Sequence, residues 1–355
     1  MQVYAIIMAG GIGSRFWPRS KEKAPKQLMS IFGKNTMIQD TFSRLDGIVE
    51  ADKIFVITNE IQKEQVVKQL PQLPEENIIA EPFGKNTAAC IGLASAIVKK
   101  LDSEAVMVTL PADHFIKDVE EFQENIKVAI DFAYKSKGLV TIGINPNRPE
   151  TGYGYIQIEE KQKSKNIHKV LTFAEKPNLG TAKRFMKAGD FLWNSGMFIW
   201  SVEAIWNEFK IHMPDLYTGI EELYEAYNTD NFNKVLREVY GQLRSISIDY
   251  GVMEKSTNVY LTKGYFDWSD VGSWEAVYEL SDKDEDDNAK VGDVYTSDTF
   301  SSYVYSPDKF TAVLGGHNLI VIDTKEALLI CDRNHAQDVK DIVDYLKMNH
   351  HKELI

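Results

Sequence analysis

The residues best equipped for chemistry come early in the chain. Gly10-Gly11-Ile12-Gly13-Ser14 runs into Arg15 and, a little further on, into Pro25-Lys26-Gln27. Glycines let a backbone approach an anion without a Cβ in the way, and they present bare N–H groups. Arg15 and Lys26 add two cations, so the segment is suited to a polyphosphate. It is not a Walker loop. Gly33-Lys34-Asn35-Thr36 and Gly84-Lys85-Asn86-Thr87 lack both the upstream glycine and a Ser or Thr directly after the lysine. The dinucleotide fingerprint fails too, because its third glycine falls on Phe16. The competing reading is a tight strand–helix turn that holds nothing.

Two acidic segments could serve such a site. Leu110-Pro111-Ala112-Asp113-His114 follows an apolar run, which puts Asp113 at a strand's carboxyl end. Asp267-Trp268-Ser269-Asp270-Val271-Gly272-Ser273-Trp274 carries a second carboxylate at Asp270. One aspartate from each of two distant segments is the pattern a shared Mg²⁺ needs. Turn or helix-cap roles compete for both. His114 needs no catalytic role once Asp113 is assigned. A third group fits a sugar phosphate. In Phe173-Ala174-Glu175-Lys176-Pro177, Lys176 could hold a phosphate and Glu175 could accept from sugar hydroxyls, although an ordinary surface ion pair is the commoner fate of that dipeptide. Asn194 sits among Trp193, Phe198 and Trp200, an amide beside rings. No Cys/His spacing suits zinc.

The elements that must position these groups alternate. Strands are expected at Val3–Met8, Lys53–Thr58, Asn77–Ala80, Ala105–Leu110 and Leu139–Ile144. Helical patterns lie between them at Thr36–Leu45, Glu60–Leu70, Thr87–Leu101 and Glu120–Lys135, with Thr87 as a helix cap. This alternation predicts a parallel, doubly wound α/β sheet, whose carboxyl edge binds ligands. From Thr151-Gly152-Tyr153-Gly154 to Trp200 the strands become aromatic, as in an insertion walling a pocket. The acidic run Asp282–Asp287 marks a boundary. Beyond it come short β runs at Ser302–Tyr305, Thr311–Val313, Leu319–Ile322 and Ala327–Cys331, then a helix at Ala336–Met348. The expected domains are therefore 1–285 and a β-rich 286–355.

The 355 residues are 44% hydrophobic with a formal net charge of −12. An acidic chain is a poor non-specific partner for nucleic acid or anionic membranes. Cys90 and Cys331 lie far apart without a CxxC, which suggests a reducing, cytoplasmic setting. No apolar run is long enough to cross a membrane and no export signal is read.

The chain resembles the mannose-1-phosphate guanylyltransferases (GDP-mannose pyrophosphorylases) of the sugar-phosphate nucleotidyltransferase family. The resemblance rests on the glycine turn with Pro25-Lys26-Gln27, Glu81-Pro82-Phe83-Gly84-Lys85-Asn86-Thr87-Ala88, Pro111-Ala112-Asp113-His114 and Thr151-Gly152-Tyr153-Gly154-Tyr155-Ile156. It extends through Phe173–Pro177, Trp193-Asn194-Ser195-Gly196-Met197-Phe198, Ser247-Ile248-Asp249-Tyr250-Gly251-Val252-Met253-Glu254-Lys255 and Asp267–Trp274. It implies a nucleotide-diphospho-sugar transferase fold with a short left-handed β-helix in the tail, without the isomerase domain of longer relatives. It also implies a homodimer, Mg²⁺, and conversion of GTP and mannose 1-phosphate to GDP-mannose and pyrophosphate. By this resemblance Gly10, Gly11, Gly13 and Arg15 take the triphosphate, Lys26 the α-phosphate region, and Asp113 and Asp270 the Mg²⁺. Lys176 takes the sugar phosphate, Gly154, Glu175, Asn194 and Asp249 the mannose, and Asn86, Thr87 and Ala112 the guanine or ribose. A nucleotidyltransferase for another sugar or base, or a non-catalytic sugar-nucleotide sensor, are the alternatives; the intact set Arg15, Lys26, Asp113 and Asp270 disfavours the sensor. A dehydrogenase is disfavoured by the missing third glycine.

Overall fold

The computed structural model describes residues 1–355, the side chain of Lys352 excepted. The chain forms two compact units. The first comprises Met1–Gly10, Thr41–Ala112 and Ile116–Trp268; the second comprises Gly11–Asp40, Asp113–Phe115 and Ser269–Ile355.

The first unit is built on a mixed sheet. Its strands are β1 (Val3–Met8), β2 (Ile54–Asn59), β3 (Ile78–Glu81), β4 (Val106–Pro111), β5 (Leu139–Ile144), β6 (Tyr155–Ser164), β7 (Ile167–Ala174), β8 (Phe191–Ser201) and β9 (Val259–Gly264). They lie in the order β3-β2-β1-β4-β8-β5-β9-β7-β6, and β6 also pairs with β8. β1 to β4 are parallel, as is the β5–β9 pair. β8 runs antiparallel between β4 and β5. β1, β2 and β4 read as continuous apolar runs because both of their faces are buried. The aromatic segment predicted to be an insertion supplies β6, β7 and β8. β8 therefore lies inside the sheet rather than beside it.

Helices α1 (Asn86–Leu101), α2 (Val119–Ser136) and α3 (Leu179–Ala188) accompany these strands. α4 (Val202–His212), α5 (Pro214–Ala226) and α6 (Phe232–Gln242) form a helical layer that no sequence expectation covered. α1 is rich in small residues and buried from Ala88 to Val98. At Gly92 a Cβ would lie 2.9 Å from Ile220 on α5, so the close approach of the two helices needs glycine. The expected helix start is corrected. Thr87 lies inside α1, after Lys85 at the N-cap position, and its N–H is capped at 2.8 Å by the side chain of Asn86.

The second unit holds α7 (Trp274–Leu280), β10 (Ala289–Ser297), β11 (Tyr303–Leu314), β12 (Leu319–Asp323), β13 (Leu328–Asp332) and α8 (Val339–Met348). β10, β11 and β12 are parallel, and β13 turns back antiparallel. The two runs expected at 302–305 and 311–313 are one strand, β11. Its partner β10 bulges after Gly292, where φ is 104° and a Cβ would collide with the Ser306 carbonyl. The core joins Phe16, Trp17, Met29 and Met37 to Trp274, Tyr278, Tyr303, Ile320 and Val343. The Trp274 indole donates to the Trp17 carbonyl at 3.1 Å. The lysine-bearing segment thus packs with the tail of the chain.

Candidate functional site

In the second unit, Gly13 adopts φ 65° at the start of a short turn, Ser14–Phe16. A Cβ there would sit 2.8 Å from Lys26 Cβ and 2.9 Å from its nitrogen, so only glycine lets the two segments meet. The loop is tied down through its carbonyls. Ser20 Oγ donates to Gly13 at 2.6 Å and Gln27 Nε2 to Gly11 at 2.9 Å. Among the described residues, no hydrogen bond engages the N–H groups of Ile12, Gly13 and Ser14. Three orphan donors on one loop make an anion cradle. Arg15 is exposed beside them and forms no ion pair among the described residues.

Lys26 is buried, with 5% of its surface exposed. Its ammonium lies 2.8 Å from Asp113 Oδ2 and donates to the Asp270 backbone carbonyl. Burial works to raise the Asp113 carboxyl's pKa, but Lys26 and His114 outweigh it and hold the pKa below the usual value. Asp270 is followed by buried Val271 at φ 46°. A β-branched residue there costs on the order of 1–3 kcal/mol, and such strain persists where surrounding structure imposes it. Lys26 therefore meets the carboxylate of Asp113 and the backbone carbonyl of Asp270, while the Asp270 carboxylate lies beside Gly272. Among the described residues, no group of three or more His, Cys, Asp or Glu side chains could hold a metal. Two carboxylates suit Mg²⁺ that completes its shell from phosphate oxygens and water.

The first unit supplies the edge of its sheet. Gly10 follows β1, and Ala112 follows β4 with its N–H on the Met8 carbonyl at 3.0 Å. Glu81 stands at the carboxyl end of β3, a residue to which the sequence motif alone gives no role. Its Oε2 lies 3.2 Å from where a Gly10 Cβ would be. Burial raises the pKa of this carboxyl to about 7, while the Tyr240 hydroxyl, donating at 2.9 Å, lowers it. Like Asp113, Glu81 is an acid at a strand's carboxyl end. Asn86 is exposed at φ 68° with its Oδ1 on the Thr87 N–H. Thr87 Oγ1 accepts from the Ile248 N–H at 2.8 Å. Thr87 thus anchors the segment leading to Asp249, and its hydroxyl already has that structural partner.

That segment brings together residues expected to contact the sugar. Asp249 opens a wide turn, Asp249–Met253, with hydrogen bonds five residues apart. Asn194 Nδ2 donates to Asp249 Oδ1 at 2.8 Å. Asn194 Oδ1 accepts from the Gly196 N–H and from Thr141 Oγ1, at 3.1 and 3.3 Å. Asn194 therefore keeps one amide hydrogen for a ligand. Glu175 is more available. Its Oε1 faces exposed Lys176 at 3.1 Å, whereas buried Oε2 has no hydrogen-bond partner. Gly154 lies beside that oxygen, and a Cβ there would collide with Oε2. Burial first, and then the charge of Glu175, raise the Asp249 pKa to about 6; the Asn194 amide pulls the other way. Nearby, the Tyr153 ring lies 5.2 Å from Trp193 and 5.3 Å from Trp268. The Arg148 guanidinium lies 5.4 Å from the Trp193 ring centroid. Sequence reasoning assigned no role to Tyr153 or Arg148, since neither spacing nor charge sets them apart from ordinary loop residues.

Residues 4–287 match the family model described as nucleotidyl transferase, and residues 292–346 match that of a MannoseP isomerase/GMP-like beta-helix domain. Mannose-1-phosphate guanylyltransferase of Klebsiella pneumoniae is 39% identical over 98% of this chain and 74% of its own length. The Escherichia coli K12 protein of the same name is 40% identical over the same shares. A crystal structure described as mannose-1-phosphate geranyltransferase from Thermus thermophilus superposes with a TM-score of 0.89 at 31% identity, covering 98% of this chain and all of that one. The chain belongs to the mannose-1-phosphate guanylyltransferase family of nucleotidyltransferases.

Proposed function

We propose that this enzyme joins GTP to α-D-mannose 1-phosphate, giving GDP-mannose and pyrophosphate. A phosphate oxygen of the sugar attacks the α-phosphorus of GTP. The bond from that phosphorus to the bridging oxygen breaks, and pyrophosphate carries away the electron pair. The nucleophile is already an anion at neutral pH, so no general base is needed. The barrier is largely charge and alignment. The observation that carries this reading is Lys26, buried and fixed between Asp113 and Asp270 behind left-handed Gly13. Lys26, Arg15 and the loop N–H groups would hold the triphosphate and take up charge growing on the leaving group. Asp113 and Asp270 would hold Mg²⁺, which when bound supplies further charge neutralisation on the phosphates.

Gly154, Glu175, Asn194 and Asp249 would read mannose, and Lys176 its phosphate. On the nucleotide side, Glu81 would accept from the guanine N1–H and 2-amino group, an edge that adenine does not offer. We assign catalysis to 1–285 and assembly to 286–355. Exposed Tyr295, Phe310, Leu314, Leu328 and Ile330 on the tail strands favour the expected homodimer, which a molar-mass measurement in solution tests. A cytoplasmic setting follows from the chemistry of the substrates and the two unpaired cysteines. Among the described residues, no helix is long and apolar enough to cross a membrane. Pyrophosphate release with GTP, ATP, UTP or dTTP, each paired with mannose, glucose or galactose 1-phosphate, tests the reaction. Highest kcat/KM for GTP with mannose 1-phosphate is expected; a different best pair overturns it.

A further inference from the structure

We propose that Tyr240 is a positioning residue for base recognition: its hydroxyl, donated to Glu81, fixes the carboxylate that reads the guanine edge. The inference rests on the reading of Glu81 given above.

Tyr240 lies on α6, in the helical layer, and its side chain is fully buried. Its hydroxyl is 2.9 Å from Glu81 Oε1 and 3.2 Å from the Ala89 carbonyl. One proton faces two acceptors. While Glu81 is ionised, the charge-assisted bond to the carboxylate is the stronger, so the proton points there. That bond holds Oε1 and leaves Oε2 on the Gly10 side, at the ligand-binding edge of the sheet. If Glu81 gains a proton, the carboxyl can donate to the phenol oxygen and the hydroxyl can turn to Ala89. The pair then stays satisfied, but one carboxyl oxygen is a donor and two guanine N–H groups no longer find two acceptors. The titratable groups facing Glu81 are Tyr240 from α6 and the buried Cys90 thiol from α1. Burial pushes both of their pKa values well up, so both stay neutral at working pH. Among the groups that shift the Glu81 titration, Tyr240 alone favours its ionised form.

The test is Tyr240→Phe, which keeps the ring and removes the donor. Steady-state kinetics are run with GTP, ITP and ATP at saturating mannose 1-phosphate from pH 6 to 9. The KM for GTP should rise about tenfold and kcat should move much less. The acid limb of kcat/KM for GTP should move to higher pH, because a hydrogen bond favouring the charged form is lost. The KM for mannose 1-phosphate should hold. ITP lacks the 2-amino group and should lose less than GTP. A residue that merely packs would lower Tm without moving the limb. Site-specific 3-fluorotyrosine at 240 keeps the volume and strengthens the donor, so it should move the limb to lower pH. Glu81→Gln separates the two claims. If it erodes the preference for GTP over ATP while Tyr240→Phe keeps the wild-type KM and limb, the positioning role is overturned and the Glu81 reading stands. If Glu81→Gln keeps both the preference and the limb, the Glu81 reading falls, and the role of Tyr240 with it.

Discussion

The lysine cluster of the second unit and the glutamate cluster of the first handle charge in opposite ways. The Lys26 charge is answered. Asp113 and the Asp270 carbonyl take the ammonium, and the Asp113 carboxyl is held below its usual pKa. Around Glu175 two carboxylates crowd one pocket, one oxygen has no donor, and the Asp249 pKa rises to about 6. The difference matches the ligands proposed for the two clusters. A triphosphate brings its own charge, so its site can be settled before binding and rearranged by metal. A sugar brings neutral hydroxyl donors, so its site must keep acceptors unmet until they arrive. Each cluster also depends on one glycine that leaves room for the lysine or the glutamate: Gly13 against Lys26 and Gly154 against Glu175.

The largest effect that could undo this contrast is at Lys26. Lys26→Ala should cost roughly 3–4 kcal/mol of transition-state stabilisation, a hundredfold or more in kcat. The KM for mannose 1-phosphate should change little. Near-normal kcat in a folded variant would remove Lys26 from the reaction. Next come Asp113→Asn and Asp270→Asn, each expected to lower Mg²⁺-supported turnover by about ten- to a hundredfold. Ligands of one ion act as a unit, so the double variant should be little worse than either single. Fully additive losses would place the two carboxylates at separate tasks.

The sugar cluster should respond in binding. Glu175→Gln and Asn194→Ala should raise the KM for mannose 1-phosphate about tenfold and erode its preference over glucose 1-phosphate, with the GTP KM much less affected. Gly154→Ala, which pushes against Glu175 Oε2, should mimic Glu175→Gln. An unchanged mannose-to-glucose ratio of kcat/KM in all three would show that this cluster does not read the sugar.

The smallest effects concern stability, and they should carry opposite signs. The folded Asp249 pKa of about 6 lies above its value of 3.8 when exposed. The cost to the fold is therefore fully present above pH 6 and is relieved as pH falls from 6 towards 4. Two pH units set a ceiling of about 3 kcal/mol, which solvent screening reduces. Asp249→Asn should stabilise the protein by about 1–2 kcal/mol at pH 7.5 and flatten the profile between pH 4 and 6. Asp113 has a lowered pKa, so its contribution is present above the unfolded value and is lost as pH falls through the folded one. Asp113→Asn, which strands Lys26, should destabilise by about 1–3 kcal/mol at pH 7.5. Denaturant midpoints across pH for both variants check the signs; two shifts of the same sign would contradict the contrast.

The strands at the ligand edge were legible from the residues alone, because a strand buried on both faces must be a short apolar run bounded by turn residues. Gly13, Lys26, Asp113, Asp270, Glu175 and Asn194 stood out in the same way, since cations beside glycines and acids at strand ends have few bland explanations in combination. Which polar atoms stay unmet was settled by packing. Asn194 binds Asp249 across 55 residues, Thr87 is taken by Ile248 across 161, and Glu81 meets Tyr240 across 159. Packing also settled that β8 enters the sheet antiparallel and that residues 11–40 join the tail. The physical reason is one of range. Strand and turn signals are written in neighbouring residues, whereas a side chain's hydrogen-bond partner comes from whichever distant segment the packed core brings beside it.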